Sequence, residues 1–185
     1  AGVDKTVINT GDFAISGQAG VLIAADNVTV RDLAVVSNNP GASGAAIKVT
    51  KIGTAEELPA VKNVTIANVS VKTIEAGFGL NLHGVEGATV TNVTVESSKK
   101  ASVSIASASD VEIDQLTTGT NDWNCDIYFP YNAANVAAYG KASEVTFGEL
   151  TLANGVISSE RTSDATGGED TLTFGEDFDM TTIYK

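Results

Sequence analysis

The chain has 185 residues, and 23 acidic residues against 11 basic ones give it a formal net charge of −12 at pH 7. This excess of carboxylates argues against binding to nucleic acid or to anionic membranes, because phosphate contacts need clustered Lys and Arg. No stretch approaches the ~18 consecutive apolar residues of a membrane span, so membrane insertion is not expected. The single cysteine, Cys125, cannot form an intrachain disulfide, so stability must come from burial and hydrogen bonds.

The N-terminal segment predicts an incomplete first coil or a cap. The chain begins at Ala1 without an initiator Met, which indicates a trimmed or processed start and a piece of a longer protein. Up to about residue 20, the stretches Val7-Ile8 and Phe13-Ala14-Ile15 alternate with polar residues and lie between glycines.

A strand, a sharp bend and a second strand are predicted over residues 63–71. Apolar residues alternate with small polar ones, as in a strand with one buried face, and the phase slips once at Ala67-Asn68. Asn tolerates left-handed backbone angles better than most residues, so Asn68 is the predicted bend. The residues predicted to point inward are Val64, Ile66, Val69 and Val71.

The same pattern recurs at 27–35, 88–95, 111–117 and 145–152. The bend residues Asn68, Asn92 and Gln115 are spaced as expected for a solenoid coil of roughly 20–25 residues. The longer intervals before Asn68 and after Gln115 predict loop insertions at 51–61 and 132–142.

A third short strand precedes the motif in each repeat, at 21–24, 46–49, 79–83, 102–105 and 126–129. Three strands per coil, stacked in register, predict an all-β chain that folds as a parallel β-helix of about five to six coils. Residues 1–157 would form the coils. The acidic residues 158–185, with Gly167-Gly168 as a joint, would form a C-terminal cap of the same domain whose strands fold back over the open end.

The repeat resembles the pectate lyase-like superfamily of right-handed parallel β-helices. The resemblance rests on the strand–bend–strand motif with Asp32, Asn68 and Asn92 at the bend, and it covers about residues 20 to 155. It implies a right-handed coil, as for parallel crossovers in general, and a ladder of these three side chains along the turn. We expect the Asn68 side chain to bond the backbone of a neighbouring coil. The fold alone does not specify an activity.

Enzymes of that superfamily usually act on the outer face of the first strand column, which directs attention to 46–49, 79–83, 102–105 and 126–129. The predicted inward residues are Ile47, Val49, Leu80, Leu82, Val103, Ile105, Ile127 and Phe129, and the outward ones are Lys48, Asn81, His83, Ser104, Asp126 and Tyr128.

This outward set does not match a known catalytic arrangement. A calcium-dependent lyase needs grouped carboxylates and a base, but Asp126 stands alone there and neither Arg31 nor Arg161 lies on that face. A polygalacturonase-like hydrolase needs paired acids, and of the family's short motifs only Leu82-His83-Gly84 has a partial match. We therefore expect no catalytic residue, no metal site and no cofactor. Calcium binding is the one alternative left, and no carboxylate cluster supports it.

A ligand site on a repeating surface needs residues that break the repetition, and the first column has them. Lys48, Asn81, His83, Trp123 and Tyr128 combine cation, amide and aromatic groups, with Trp123 predicted on a loop beside Lys99 and Lys100. An aromatic ring can stack on the apolar face of a sugar. The plain alternatives are solvated lysines, a Trp123 packed in the core, and an exposed His83 rather than a metal ligand.

The sequence thus favours a non-catalytic β-helix module of a bacterial cell-surface or secreted protein, located outside the cell. Its role would be adhesion, glycan recognition or spacing, and its partner a glycan or another cell-surface ligand. The alternative is a carbohydrate-active enzyme domain, a lyase or hydrolase of an acidic polysaccharide. Outward threonine columns are also typical of ice-binding surfaces, but Glu112 and Ala34 interrupt them, and Thr is a favoured strand residue in any case.

Overall fold

The computed structural model describes residues 2, 6–10, 19–38, 44–50, 60–131, 141–161 and 168–175. These residues form a parallel β-solenoid of about five turns without a helix, which confirms the predicted all-β architecture. Within the same ranges, no helix is long and apolar enough to cross a membrane. Most of the predicted insertions at 51–61 and 132–142, namely residues 51–59 and 132–140, lies outside the described residues. So do the stretch 13–15 and the joint residue Gly167.

Among the described residues, twelve strands join in one sheet. They are β1 (Val7–Asn9), β2 (Ala19–Ile23), β3 (Thr29–Ser37), β4 (Ala45–Val49), β5 (Val61–Thr73), β6 (Phe78–Ser98), β7 (Val103–Asn121), β8 (Ile127–Phe129), β9 (Glu144–Phe147), β10 (Leu150–Thr151), β11 (Ile157–Ser159) and β12 (Thr171–Phe174). All of their pairings are parallel, because each coil lies on the coil before it. We call the surface formed by β2, β4, the starts of β6 and β7, β8 and β11 the first face.

The long strands turn corners at residues with positive φ, as predicted for the bend. Asp32, Asn68, Asn92 and Gln115 have φ of 58°, 53°, 49° and 53°. A left-handed residue redirects the chain, while the pairing with the next coil resumes directly on both sides of it.

The ladder bonds side chain to side chain, so the expectation that Asn68 bonds backbone is wrong. The Asn68 Nδ2 donates to Asp32 Oδ1 at 2.9 Å, and the Asn92 Nδ2 donates to Asn68 Oδ1 at 2.8 Å. Asn68 is exposed, so the ladder runs along the surface of the coil and leaves the backbone pairing to the strands. A second, unpredicted ladder joins Asn63 Nδ2 to Asn27 Oδ1 at 3.0 Å, also between residues with positive φ.

We expect Asn68→Leu to lower the free energy of unfolding by about 1–2 kcal/mol. The main reason is that the Cβ of leucine is strained at positive φ, and leucine lacks the short polar side chain that lets Asn adopt this conformation. Asn68→Gly is the matched control, since it removes the same hydrogen bonds and keeps the backbone conformation. Urea denaturation should show the glycine variant closer to wild type than the leucine variant. Equal losses in the two variants would contradict backbone strain as the main cause.

The core consists of the inward columns. All eight inward residues predicted for the first face are essentially inaccessible, which confirms the strand phase. Ile105 is 0 % exposed and pairs in register with Leu82 of the preceding coil. Phe147 and Phe129 are the largest fully buried side chains and lie toward the C-terminal coils.

Replacing Ile105 by Ala should destabilise the fold by about 3 kcal/mol, because buried surface is lost and the stacked coils cannot collapse around the cavity. Ile105→Val, which removes one methyl group at the same place, should cost only about 1 kcal/mol. The two variants are compared by thermal and urea unfolding. A loss of similar size in both would show that the site tolerates the cavity.

The C-terminal strands continue the solenoid. β11 pairs in parallel with β8, and β12 pairs in parallel with β9 over its whole length, from Thr171↔Glu144 to Phe174↔Phe147. The expectation that these strands fold back over the open end is therefore wrong for the described residues. Stacking prevails because Leu172 and Phe174 extend the inward columns, and Phe174 stacks on Phe147 at 5.4 Å between ring centres. A division at residue 157 remains a prediction.

Candidate functional site

The outer column of the first face brings the predicted ligand residues together. Lys48, Asn81, Ser104 and Tyr128 are successive partners in the parallel register, one in each coil. They alternate with the inward core residues, so their side chains leave the strands on the side away from the core. His83 lies two residues after Asn81 on the same side.

Three aromatic rings, Phe78, Trp123 and Tyr128, form what we call the aromatic cluster. The Phe78 and Tyr128 rings are nearly parallel, at 14° and 6.4 Å between centres. The Trp123 ring is almost perpendicular to both, 5.7 Å from Phe78 and 5.3 Å from Tyr128. Edge-to-face geometry of this kind is favourable between aromatic quadrupoles. The cluster is therefore a packed group rather than three independent side chains.

Trp123 lies on the turn after β7, and its side chain is 44 % exposed, so the alternative of a core tryptophan is wrong. The Lys100 ammonium group lies 5.0 Å from the Phe78 ring centre and 5.2 Å from the Trp123 ring. Partial burial lowers the pKa of Lys100. Lys99 instead pairs with Asp122, at 3.5 Å between Nζ and Oδ2. Of the two predicted neighbours of Trp123, Lys100 is thus the one that reaches the rings.

The aromatic cluster borders a cleft of about 270 Å³. Its described lining consists of Phe78, Asn81, His83, Lys100, Ser104, Trp123, Tyr128, Pro130, Tyr131 and Glu160. Four of the five predicted ligand residues belong to this lining. Lys48 does not; it lies one coil before Asn81, where burial lowers its pKa.

His83 is buried, which corrects the expectation of an exposed histidine. It is 6 % exposed, and its Nε2 lies 3.0 Å from Ser104 Oγ, within hydrogen-bond distance. Burial, with a smaller contribution from the positive charge of Lys48, lowers the pKa of His83 to about 3. The imidazole is therefore neutral near pH 7. Period-two alternation placed it away from the core, but neighbouring side chains cover that side.

The buried His83 predicts a loss of stability in mild acid. The unfolded chain binds a proton near the ordinary pKa of about 6.5, whereas the folded chain binds one only near pH 3, so protonation favours unfolding. Between pH 6.5 and pH 5 the wild type should lose about 2 kcal/mol. Urea unfolding of His83→Gln should lack this component, and equal pH profiles for the two proteins would refute it.

Asn81 is the most unusual polar residue of the cleft. The residue is 1 % exposed, and within the described ranges neither Nδ2 nor Oδ1 has a hydrogen-bond partner. Buried amides normally pair with protein or water, because an unpaired buried donor or acceptor destabilises the fold. Ser104, the register partner of Asn81 in the next coil, does not bond the amide, because its hydroxyl lies within hydrogen-bond distance of His83.

Asp126, predicted to point outward, has a structural role instead. It is 0 % exposed, and its carboxylate accepts hydrogen bonds from Thr118 Oγ1, from Asn154 Nδ2, and from the backbone N–H groups of Asn154 and Val156. Asn154 and Val156 belong to the next coil and Thr118 to the end of β7, and sequence alone did not place them beside Asp126. The neighbouring Cys125 is buried, and burial, followed by the charge of Asp126, raises the pKa of its thiol to about 11.

The far side of the cleft comes from residues that the sequence did not single out. The backbone N–H of Tyr131 donates to Glu160 Oε2 at 3.1 Å, and the Arg161 guanidinium carbon lies 4.8 Å from the Tyr131 ring centre. Arg161 also pairs with Asp170, at 3.3 Å between Nε and Oδ1, with side chains only 3 % and 6 % exposed. The last coil therefore fixes one wall of the cleft.

Glu160 is the one carboxylate among the described residues that line the cleft. Within the described part of the chain, no group of three or more His, Cys, Asp or Glu could hold a metal ion. Comparison with known protein families, with curated proteins and with solved structures gives no match for this chain.

Proposed function

We propose that the chain is a non-catalytic β-helix module that binds a glycan in the cleft beside the aromatic cluster. The observation that carries the proposal is the exposed Trp123 ring next to the buried, unpaired amide of Asn81. A sugar ring has apolar C–H faces and a polar edge of hydroxyls. It can stack on the indole while its hydroxyls reach the amide, which a purely apolar ligand could not do.

We further propose that the module belongs to the pectate lyase-like superfamily of right-handed β-helices and to a bacterial cell-surface or secreted protein. Two features of the parallel coils support the family assignment. The bends have left-handed backbone angles at Asp32, Asn68 and Asn92, and the side chains of these residues form a hydrogen-bonded ladder. The setting outside the cell follows from the proposed glycan ligand. In that setting the module would serve adhesion or recognition.

Trp123 is the only tryptophan, so its fluorescence reports directly on the cleft. A glycan array would select ligands, and titrations would then follow the emission of Trp123, which should initially be that of a solvent-exposed indole. We expect a bound glycan to shift or quench it. By calorimetry, Trp123→Ala should weaken binding at least about tenfold, as for a central aromatic contact. Thr89→Ala, an exposed change on another face, is the control.

An assay for unsaturated uronates and one for new reducing ends would be run on the same glycans. If turnover persists through repeated purification, the binding-module proposal is rejected in favour of the alternative, a lyase or hydrolase of an acidic polysaccharide. Absence of binding to every glycan would reject the cleft as a glycan site.

A further inference from the structure

The amide of Asn81 restricts which chemical groups the cleft can accept. Its Nδ2 can only donate and its Oδ1 can only accept, and the two atoms lie side by side on one planar group. Both lack a hydrogen-bond partner among the residues that the structure describes. A ligand that satisfies both atoms must therefore present an acceptor and a donor next to each other.

A carboxylate does not meet this requirement. It only accepts hydrogen bonds, so one oxygen could pair with Nδ2 while the other would face Oδ1, acceptor against acceptor. An ammonium group fails in the opposite way because it only donates. Two hydroxyls on neighbouring carbons succeed, since each can donate or accept, and one can take each role.

The charges of the described cleft lining agree with an uncharged ligand. Lys100 and Glu160 both line the cleft and have opposite charges. The Lys100 ammonium already lies over the Phe78 and Trp123 rings. His83 is neutral near pH 7, because burial lowers its pKa to about 3. The lining therefore offers no surplus of positive charge to compensate a buried carboxylate.

The side chains at the entrance can move without disturbing the coils. Trp123 lies on the turn that follows β7, and Lys100 lies on the bend that precedes it. A rotation of either side chain would break contacts of the aromatic cluster but no strand pairing. Asn81 itself lies within β6 and is paired on both sides, so it forms a fixed floor.

We propose that the cleft selects uncharged saccharides, and that the Asn81 side chain binds a pair of neighbouring sugar hydroxyls, one as acceptor and one as donor. This inference rests on the proposed glycan-binding function and names its ligand class. Uronate polymers have the same neighbouring hydroxyls, so the amide alone does not distinguish them. We expect them to bind more weakly because each ring also carries a carboxylate, whose charge the cleft lining does not compensate.

The test uses matched hexasaccharides: β-1,4-linked mannose against β-1,4-linked mannuronate, and the corresponding glucose and glucuronate pair. Each is titrated into the protein at low and high salt, with calorimetry and Trp123 emission as readouts. We expect a neutral hexamer to bind at least tenfold more tightly than its uronate counterpart, with little salt dependence. Replacing the hydroxyl at C2 or C3 of the neutral hexamer by hydrogen should weaken binding at least tenfold, a comparison that needs only the wild-type protein.

The protein variant Asn81→Leu separates recognition from folding. Leucine has nearly the same shape and no polar atoms, so its Tm should equal or exceed that of the wild type, while binding of the neutral hexamer falls at least tenfold. Thr89→Ala should bind as the wild type does. A large drop in Tm for Asn81→Leu would show that the amide has a structural partner and would overturn the inference.

Tighter, salt-sensitive binding of the uronates, unaffected by Asn81→Leu, would also overturn the inference but leave glycan binding in place. If none of the four hexasaccharides binds and no glycan on the array binds, the proposed function is rejected, and the inference with it.

Discussion

Asp126→Asn should lower the free energy of unfolding by about 4 kcal/mol. The Asp126 carboxylate is completely buried and accepts four hydrogen bonds, at 2.6 Å and 3.1 Å on Oδ1 and at 3.0 Å and 3.2 Å on Oδ2. An asparagine amide would turn its NH₂ group toward two of these donors in either orientation. The N–H donors among them would stay unpaired, whereas the Thr118 hydroxyl could turn and accept; hydrogen bonds to a charged acceptor are worth about 1.5–3 kcal/mol each.

Asp122→Asn is the control for this prediction. Asp122 lies four residues earlier, its side chain is 60 % exposed, and it makes a single ion pair with Lys99. Its replacement should change stability by less than about 1 kcal/mol. Urea unfolding measures both variants. If both lose the same small amount, the network around Asp126 does not hold the last coil, and the cleft wall that depends on that coil would need another explanation.

Asp170→Ala should cost about 3–5 kcal/mol, because it leaves the Arg161 guanidinium buried without its carboxylate. The same carboxylate also accepts hydrogen bonds from the Ser143 N–H and the Ser159 hydroxyl, both at 2.8 Å. Removing it therefore takes the carboxylate away from the buried Arg161 side chain and leaves the N–H of the buried Ser143 without its acceptor.

The exposed pair Lys62–Glu86 provides the matched control, since its atoms are closer, at 2.9 Å, but both side chains are about half exposed. Glu86→Ala should cost less than about 1 kcal/mol. The double variant Arg161→Met with Asp170→Leu should recover part of the loss, because two apolar side chains replace the buried charges. Chemical denaturation distinguishes these outcomes. No recovery in the double variant would contradict the unpaired charge as the cause.

The candidate site shows where sequence reasoning stops. Alternation along 79–83 correctly separated Leu80 and Leu82 from Asn81 and His83, and the coil register placed Tyr128 in the same column. Alternation says only which side of a strand a residue occupies. It does not say whether another part of the chain covers that side, so the burial of Asn81 and His83 could not be predicted.

The remaining site residues depend on contacts between distant coils. Phe78 is the first residue of β6 and belongs to none of the sequence motifs. Its ring nevertheless packs against Trp123 and Tyr128. Tyr131 and Glu160 line the same cleft because β11 stacks on β8, a pairing that the expected fold-back of the tail had obscured.

The amino-acid sequence by itself determined the parallel coil, its strand phase and its bend positions. Period-two alternation and an Asn with left-handed backbone angles are local properties, and each repeat contains its own copy of the pattern. The tertiary structure alone decided how the ladder is bonded, which outward residues are covered, and where the tail strands pair. These features depend on which side chains of different coils meet, and stacking brings together residues such as Asp126 and Asn154 whose local sequences contain no sign of each other.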